Sequence, residues 1–307
     1  MKLSARQWIT LITVLVVLLA GVVMLVGIND GDQPSTANDR PPTDPEEIVT
    51  RFASSLRQDG SYRPPTVNER KDIVNALTPM FGQSSAIDQL RAADSLRPLG
   101  FTMSTGNDPR TGRQYALVIN ERDSDRAWGA YMVDLSRPVR LAIEVPHPNS
   151  DLGTERIGLK LFRDTPGAVL LMAGTHRRVE RGDMAHRTDS VFHAVATELA
   201  KRDVPQVQIH GFHDDSLPDT DVVVSPGAGK PGATVRRIAD RIADTGLATC
   251  RSWESNCGKL EGTSNEQGKM AAERESTFLH VETSRSLRED EQQWTRLVGA
   301  IAEGLAK

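Results

Sequence analysis

Read for its hydrophobic and polar positions, the chain divides into three stretches. Residues 8–28 are apolar and uncharged without interruption, with Lys2 and Arg6 before them and Asp30 and Asp32 after. A run of that length crosses a ~30 Å hydrocarbon core as a helix. Positive charge on its N-terminal flank leaves that end in the cytoplasm. A cleaved signal peptide would have a shorter apolar core, roughly 7–15 residues, closing on a small-residue site. Here Leu19-Ala-Gly21 lies inside the run, which favours an uncleaved signal anchor over residues 1–28. Residues 29–45 are rich in Pro, Asp, Ser, Thr and Gly, the composition of a flexible linker.

From residue 46 to 99 the apolar positions take helical spacing. Ile48, Phe52 and Leu56 recur every fourth residue and predict a helix over 45–58; Ile73, Leu77, Ile87 and Leu90 predict helix over 68–96, interrupted at Pro79. This segment is expected to pack on the main domain, residues 100–307. There β-rich runs at 113–120 and 127–134, joined by a charged turn, predict neighbouring antiparallel strands. Shorter runs at 141–145, 168–173, 207–209 and 222–224 are mostly apolar, as in central strands covered on both faces. Helical patterns at 154–163, 190–202 and 234–245 alternate with them. A last helix over 289–305 places Trp294, Leu297, Val298 and Ile301 on one face. The alternation predicts a three-layer α/β/α fold with a mixed central sheet, preceded by one transmembrane helix.

Composition narrows the picture by exclusion. A formal net charge of −4 over 307 residues offers no electrostatic case for nucleic acid as partner. Gly227-Ala-Gly-Lys-Pro231 lacks the Ser/Thr that follows lysine in a phosphate-binding loop, so no nucleotide is expected. No Gly-x-Ser-x-Gly elbow and no His-Glu-x-x-His helix occurs. The only cysteines, Cys250 and Cys257, have no histidine near them in sequence to complete a zinc site, and in an oxidising compartment they predict a small-loop disulfide.

Candidate chemistry concentrates where strands end. All seven histidines lie between His147 and His280. Arg140-Leu-Ala-Ile-Glu-Val-Pro-His147 and Gln206-Val-Gln-Ile-His210 end apolar runs in imidazoles; Phe278-Leu-His-Val-Glu282 ends in a carboxylate. Ligand sites of open α/β sheets lie at such ends. A hydrolytic zinc site needs three N/O ligands, an open position for water and a base beside it. His147 and His210 are candidate ligands. The third is Glu155, in the first turn of the following helix, or Asp151, whose alternative role is a helix cap. Glu282 is the candidate base, its alternative a salt bridge to Arg285 or Arg288. Arg177 could clamp a substrate carboxylate; His176, His186 and Asn265 are further candidates for substrate contact, each with a structural role as the alternative.

His147-Pro-Asn-Ser-Asp-Leu-Gly153 has the spacing of the His-Gly-Gly-x-Asp-x-Gly loop of zinc-dependent N-acetylmuramoyl-L-alanine amidases. Val207-Gln-Ile-His210 resembles that family's Ser-Ile-His strand, and Val281-Glu-Thr283 its Val-Glu-Thr segment. The resemblance covers about residues 140–285. It departs at Pro148-Asn149, where the family has two glycines, and at Gly211-Phe-His213, where it has Asn after the histidine. It implies Zn2+ held by His147, Glu155 and His210, Glu282 as catalytic base, and a peptidoglycan amide as substrate. N-formylglutamate amidohydrolases and poly-γ-glutamate hydrolases share the fold. The expectation is therefore a single-pass membrane protein with its zinc amidohydrolase domain outside the cytoplasm. A zinc carboxypeptidase, a γ-glutamyl or N-acyl amino acid amidohydrolase, and a non-catalytic cell-wall binding module are the alternatives.

Overall fold

Nine strands form one mixed sheet in the order β1-β2-β3-β5-β4-β6-β9-β7-β8. The computed structural model describes residues 44–120 and 125–306, so the signal anchor expected over 1–28 and nearly all of the expected linker lie outside the described residues. Among the described residues no helix is long and apolar enough to cross a membrane. The strands are β1 Phe101–Asn107, β2 Gln114–Asn120, β3 Ala130–Asp134, β4 Leu141–Val145, β5 Ala168–Met172, β6 Gln206–Gly211, β7 Val222–Ser225, β8 Thr249–Arg251 and β9 Phe278–Thr283. The centre, β5-β4-β6-β9, is parallel, and β1, β2 and β3 continue antiparallel on one side. On the other side β7 runs antiparallel to β9 and parallel to β8.

Helices cover both faces. On one lie α1 (Pro45–Ser54), α4 (Thr154–Asp164), α6 (Ala233–Asp244) and α9 (Glu291–Leu305), packed through Phe52, Ile157, Ile238 and Leu297 onto Ile143, Val207 and Val281. On the other lie α2 (Val67–Leu77), α3 (Ala86–Leu96), α5 (Val191–Ala200) and α7 (Glu266–Glu273), packed through Leu77, Leu96, Phe192 and Met270 onto Val133, Ala142 and Leu171. Each large apolar side chain fully buried this way contributes roughly 1.5–3 kcal/mol. A short helix α8 (Arg285–Glu289) precedes α9.

The expected helix over 68–96 is two helices. A 3-10 turn through Pro79 ends the first at Leu77, and Ser85 and Asp88 form a capping box that starts the second. Three elements carry no sequence pattern strong enough to predict them individually. β1 is a polar edge strand, β8 has three residues, and α7 is defined by its Asn265 cap more than by an apolar stripe. The Cys250–Cys257 disulfide is present, with an S–S distance of 2.00 Å.

Candidate metal centre

The parallel strands β5, β4, β6 and β9 bring their C-terminal ends together. His147 stands two residues past β4, and His210 and Glu282 face each other as register partners on β6 and β9. The loop after His147 turns back sharply: the amides of Ser150 and Asp151 both donate to His147 O, at 3.1 and 3.0 Å. Asn149 (φ 60) and Gly153 (φ 87) adopt left-handed backbone, a conformation costly for most residues. The turn carries the Asp151 carboxylate under the two imidazoles. Asp151 Oδ2 lies 3.0 Å from His147 Nδ1 and 3.5 Å from His210 Nδ1. The two rings stand 4.9 Å apart, edge to face.

Each imidazole has its other nitrogen on an oxygen acceptor. His147 Nε2 lies 2.8 Å from Asp183 Oδ1, and His210 Nε2 lies 2.6 Å from Gln208 Oε1. The proton positions follow from the surrounding bonds. Asn265 Oδ1 accepts from Gly268 N, so its Nδ2 must donate, and it donates to Gln208 Oε1. Gln208 Nε2 then donates to Glu144 Oε2 at 2.7 Å and Gln267 Oε1 at 3.2 Å. With Oε1 fixed as the acceptor, His210 Nε2 must carry a proton. A neutral His210 therefore aims its Nδ1 lone pair at a carboxylate. Burial keeps it neutral, its pKa pushed down to about 4. Two acceptors facing each other at 3.5 Å repel unless a cation lies between them.

His147 leads to the same place. Both its nitrogens face carboxylates, so without an ion only the doubly protonated ring satisfies both. Burial opposes that charge, but Asp151 and Asp183 outweigh it and raise the pKa. For Asp151 itself burial works upward, and the bonds from His147 and His210 hold its carboxyl far below the usual range. His147, Asp151 and His210 offer ligand atoms within 4.8 Å of one another. Two imidazole nitrogens, one carboxylate and an oriented partner behind each ring are a donor set that fits zinc.

Glu282 adjoins this group, and together with His210 and His280 it forms a second one. Its Oε2 is buried without a partner. Burial, reinforced by the Asp151 charge, pushes its carboxyl up to about 8. Neither suggested salt bridge exists: Arg285 pairs with Glu289, and Arg288 donates to the carbonyls of Leu152, Phe212 and Thr283.

The other sequence candidates fall at varied distances from this centre. Glu155 is buried at the start of α4, outside both groups; burial raises its pKa against bonds from the amides of Gly153 and Glu155. Asp151, the competing residue, is the carboxylate that joins the two histidines. Arg177 lies 3.5 Å from Asp151 Oδ1 and 3.3 Å from Asp183 Oδ2, so its donors are directed at protein carboxylates. His176 is buried, and its Nδ1 accepts from Arg178 N, which makes it a turn builder. His186 contacts Asp183 (3.1 Å) and Ser264 Oγ (3.2 Å) at the rim. Asn265 is buried, its Oδ1 capping α7 at Gly268 N and its Nδ2 donating to Gln208, so the structural role is the one its bonds show. Sequence reading missed Gln208 and Glu144, although both are polar positions inside apolar strands.

No family model matches the chain, and no curated protein does. Solved structures are similar at a low level. A gene product of Agrobacterium tumefaciens has 13% identity and a TM-score of 0.41, over 54% of this chain and 87% of that one. A bacteriophage poly-gamma-glutamate hydrolase has 12% identity and a TM-score of 0.36, over 69% and 93%. The catalytic domain of CwlV, an N-acetylmuramoyl-L-alanine amidase from Bacillus (Paenibacillus) polymyxa var. colistinus, has 14% and 0.32, over 54% and 96%.

Proposed function

We propose that the chain is a zinc-dependent amide hydrolase, with His147, Asp151 and His210 as the protein ligands and Glu282 as the general base. The observation that carries this reading is the His210 Nδ1 lone pair directed at Asp151 Oδ2, 3.5 Å away in a buried site. Zinc bound there would act as a Lewis acid toward water and an amide carbonyl, and its charge would draw the Glu282 pKa down from about 8.

The protein groups then have distinct tasks. Asp183 and Gln208 orient the two imidazoles from behind. Arg177 braces Asp151 and Asp183. Glu282 Oε2, which has no partner, takes a proton from the attacking water and returns it to the leaving nitrogen. On the sequence resemblance, the substrate is an amide of the cell-wall peptide. The apolar run over 8–28 supports a membrane-anchored chain with this site outside the cytoplasm, and the disulfide fits an oxidising compartment.

Metal analysis of the full chain, wild type against His210→Ala, tests the reading. Wild type should hold about one zinc and release stem peptide from peptidoglycan, and the variant should do neither. A folded wild-type chain that takes up no zinc overturns it. Release of single amino acids would favour a carboxypeptidase instead.

A further inference from the structure

Beside Asp151 opens a cleft of about 920 Å³, and one of its walls comes from the N-terminal segment. Residues 54–59, at and just beyond the end of α1, face the loops after β4 and β5. Asn149 Nδ2 donates to Leu56 O at 2.7 Å and ties the two walls together. Leu56 and Leu152 supply apolar surface, and Leu152 is 54% exposed.

Three arginines line this cleft: Arg57, Arg177 and Arg178. Two are committed. Arg57 binds Asp59 through two bonds of 2.9 and 3.1 Å, which also neutralises the one other acid at the wall. Arg177 faces Asp151 and Asp183. Arg178 differs. Its guanidinium meets only Gln58 Oε1, at 3.3 Å, and among the described residues no carboxylate pairs with it. Its backbone is fixed all the same. Arg178 N donates to His176 Nδ1, Val179 N to His176 O, and Gly182 N to Val179 O. A Cβ at Gly182 would lie 2.6 Å from His176 O, so the turn is closed too tightly for any other residue.

We infer that Arg178 is a carboxylate-binding subsite, so that the preferred substrate is an amide bearing a free carboxylate on the side of residues 54–59. This rests on the hydrolase reading for the position of the scissile bond, but not for the binding itself. A planar guanidinium on a rigid turn offers a two-toothed fork to a carboxylate, and Gln58 is a neutral partner that such a ligand displaces. The carboxylate could be a C-terminal or a side-chain one.

Calorimetry on the zinc-treated full chain tests this, with N-acetyl-L-glutamate as probe and zinc content measured in parallel. The uncharged N-acetyl-L-glutamine amide should bind roughly tenfold more weakly or worse. Between N-acetyl-L-glutamine and N-acetyl-L-isoglutamine, the one that keeps the affinity identifies the carboxylate as C-terminal or side-chain. Arg178→Ala should lose the same factor, Arg178→Lys should recover only part of it, and Gln58→Glu should block the site by supplying its own carboxylate. Equal binding of the acid by wild type and Arg178→Ala overturns the inference even if zinc is bound. A zinc-free chain with Arg178-dependent binding overturns the hydrolase reading and leaves the subsite standing.

Discussion

His210 stands between two clusters that handle their polar atoms in opposite ways. Toward His147 and Asp151 each imidazole has an acceptor behind it, and Asp151 Oδ2 also accepts from Gly211 N at 3.3 Å. Toward Glu282 and His280 the pattern breaks. The His280 ring lies tilted 4.6 Å from His210 with its buried Nδ1 unpartnered, and the buried Oε2 atom of half-buried Glu282 is unpartnered too. Leaving a buried polar atom unpaired costs about 1–3 kcal/mol, so native proteins rarely tolerate it without use. The contrast separates a scaffold, whose members are held in one geometry, from a carboxyl left unengaged so that it can take and give a proton.

The sharpest way to break this division is to delete members of the scaffold. His147→Ala, Asp151→Ala and His210→Ala should each abolish zinc retention through dialysis, while Glu155→Ala should keep it. Metal analysis of all four decides between the two carboxylates. If Glu155→Ala alone empties the site, Asp151 belongs to the support and the division has been drawn in the wrong place. Glu282→Gln comes next in size. It should retain zinc and lose roughly 10²–10⁴-fold in kcat, the usual contribution of a positioned base. Loss of metal in that variant would place Glu282 among the ligands.

A smaller effect belongs to the residues behind the rings. Gln208→Leu leaves His210 free to choose either tautomer, and Asp183→Asn weakens the acceptor on His147 Nε2. Each should lower zinc affinity by about 10–100-fold, measured by chelator competition, with the fold intact by circular dichroism. Unchanged affinity would mean that the rings are held by packing alone.

How much of this could be read in advance depends on the range of each interaction. Central strands and the helices between them were visible because burial on both faces makes Ala168–Met172 or Val222–Val224 continuously apolar. His147, His210 and Glu282 stood out because polar groups ending such strands have few other reasons to be there. The choice between Asp151 and Glu155 was not legible, since it turns on two left-handed residues, Asn149 and Gly153, that fold the loop back on itself. The capping role of Asn265 was hidden for a similar reason: α7, which it caps, is weakly patterned, and its partner Gln208 is 57 residues away. Gln208 was accessible in principle, because it lies two residues before His210 and so on the same face of the strand.

Glu144 gives the smallest and most particular test, because it sits on the paired side of His210 yet behaves like the unengaged set. It is fully buried in β4, bonded to Gln208 through Oε2, with Oε1 unpartnered. Burial pushes its carboxyl from 4.5 up to about 7, with only the Gln208 bond opposing. Between those two values the folded chain holds a proton that the unfolded chain has released, so stability falls as pH rises. The contribution is intact below about pH 4.5 and is lost as pH climbs through about 7, a loss of up to about 3 kcal/mol. Glu144→Gln keeps an acceptor for Gln208 Nε2 and removes the ionisation. Urea denaturation at pH 5 and pH 8 should therefore show wild type losing stability that the variant keeps, with the two nearest each other at the lower pH. Parallel pH slopes would mean that Oε1 is solvated after all. Glu144 would then be part of the scaffold in the full sense, and the unpaired, proton-carrying chemistry would be confined to the Glu282 side of His210.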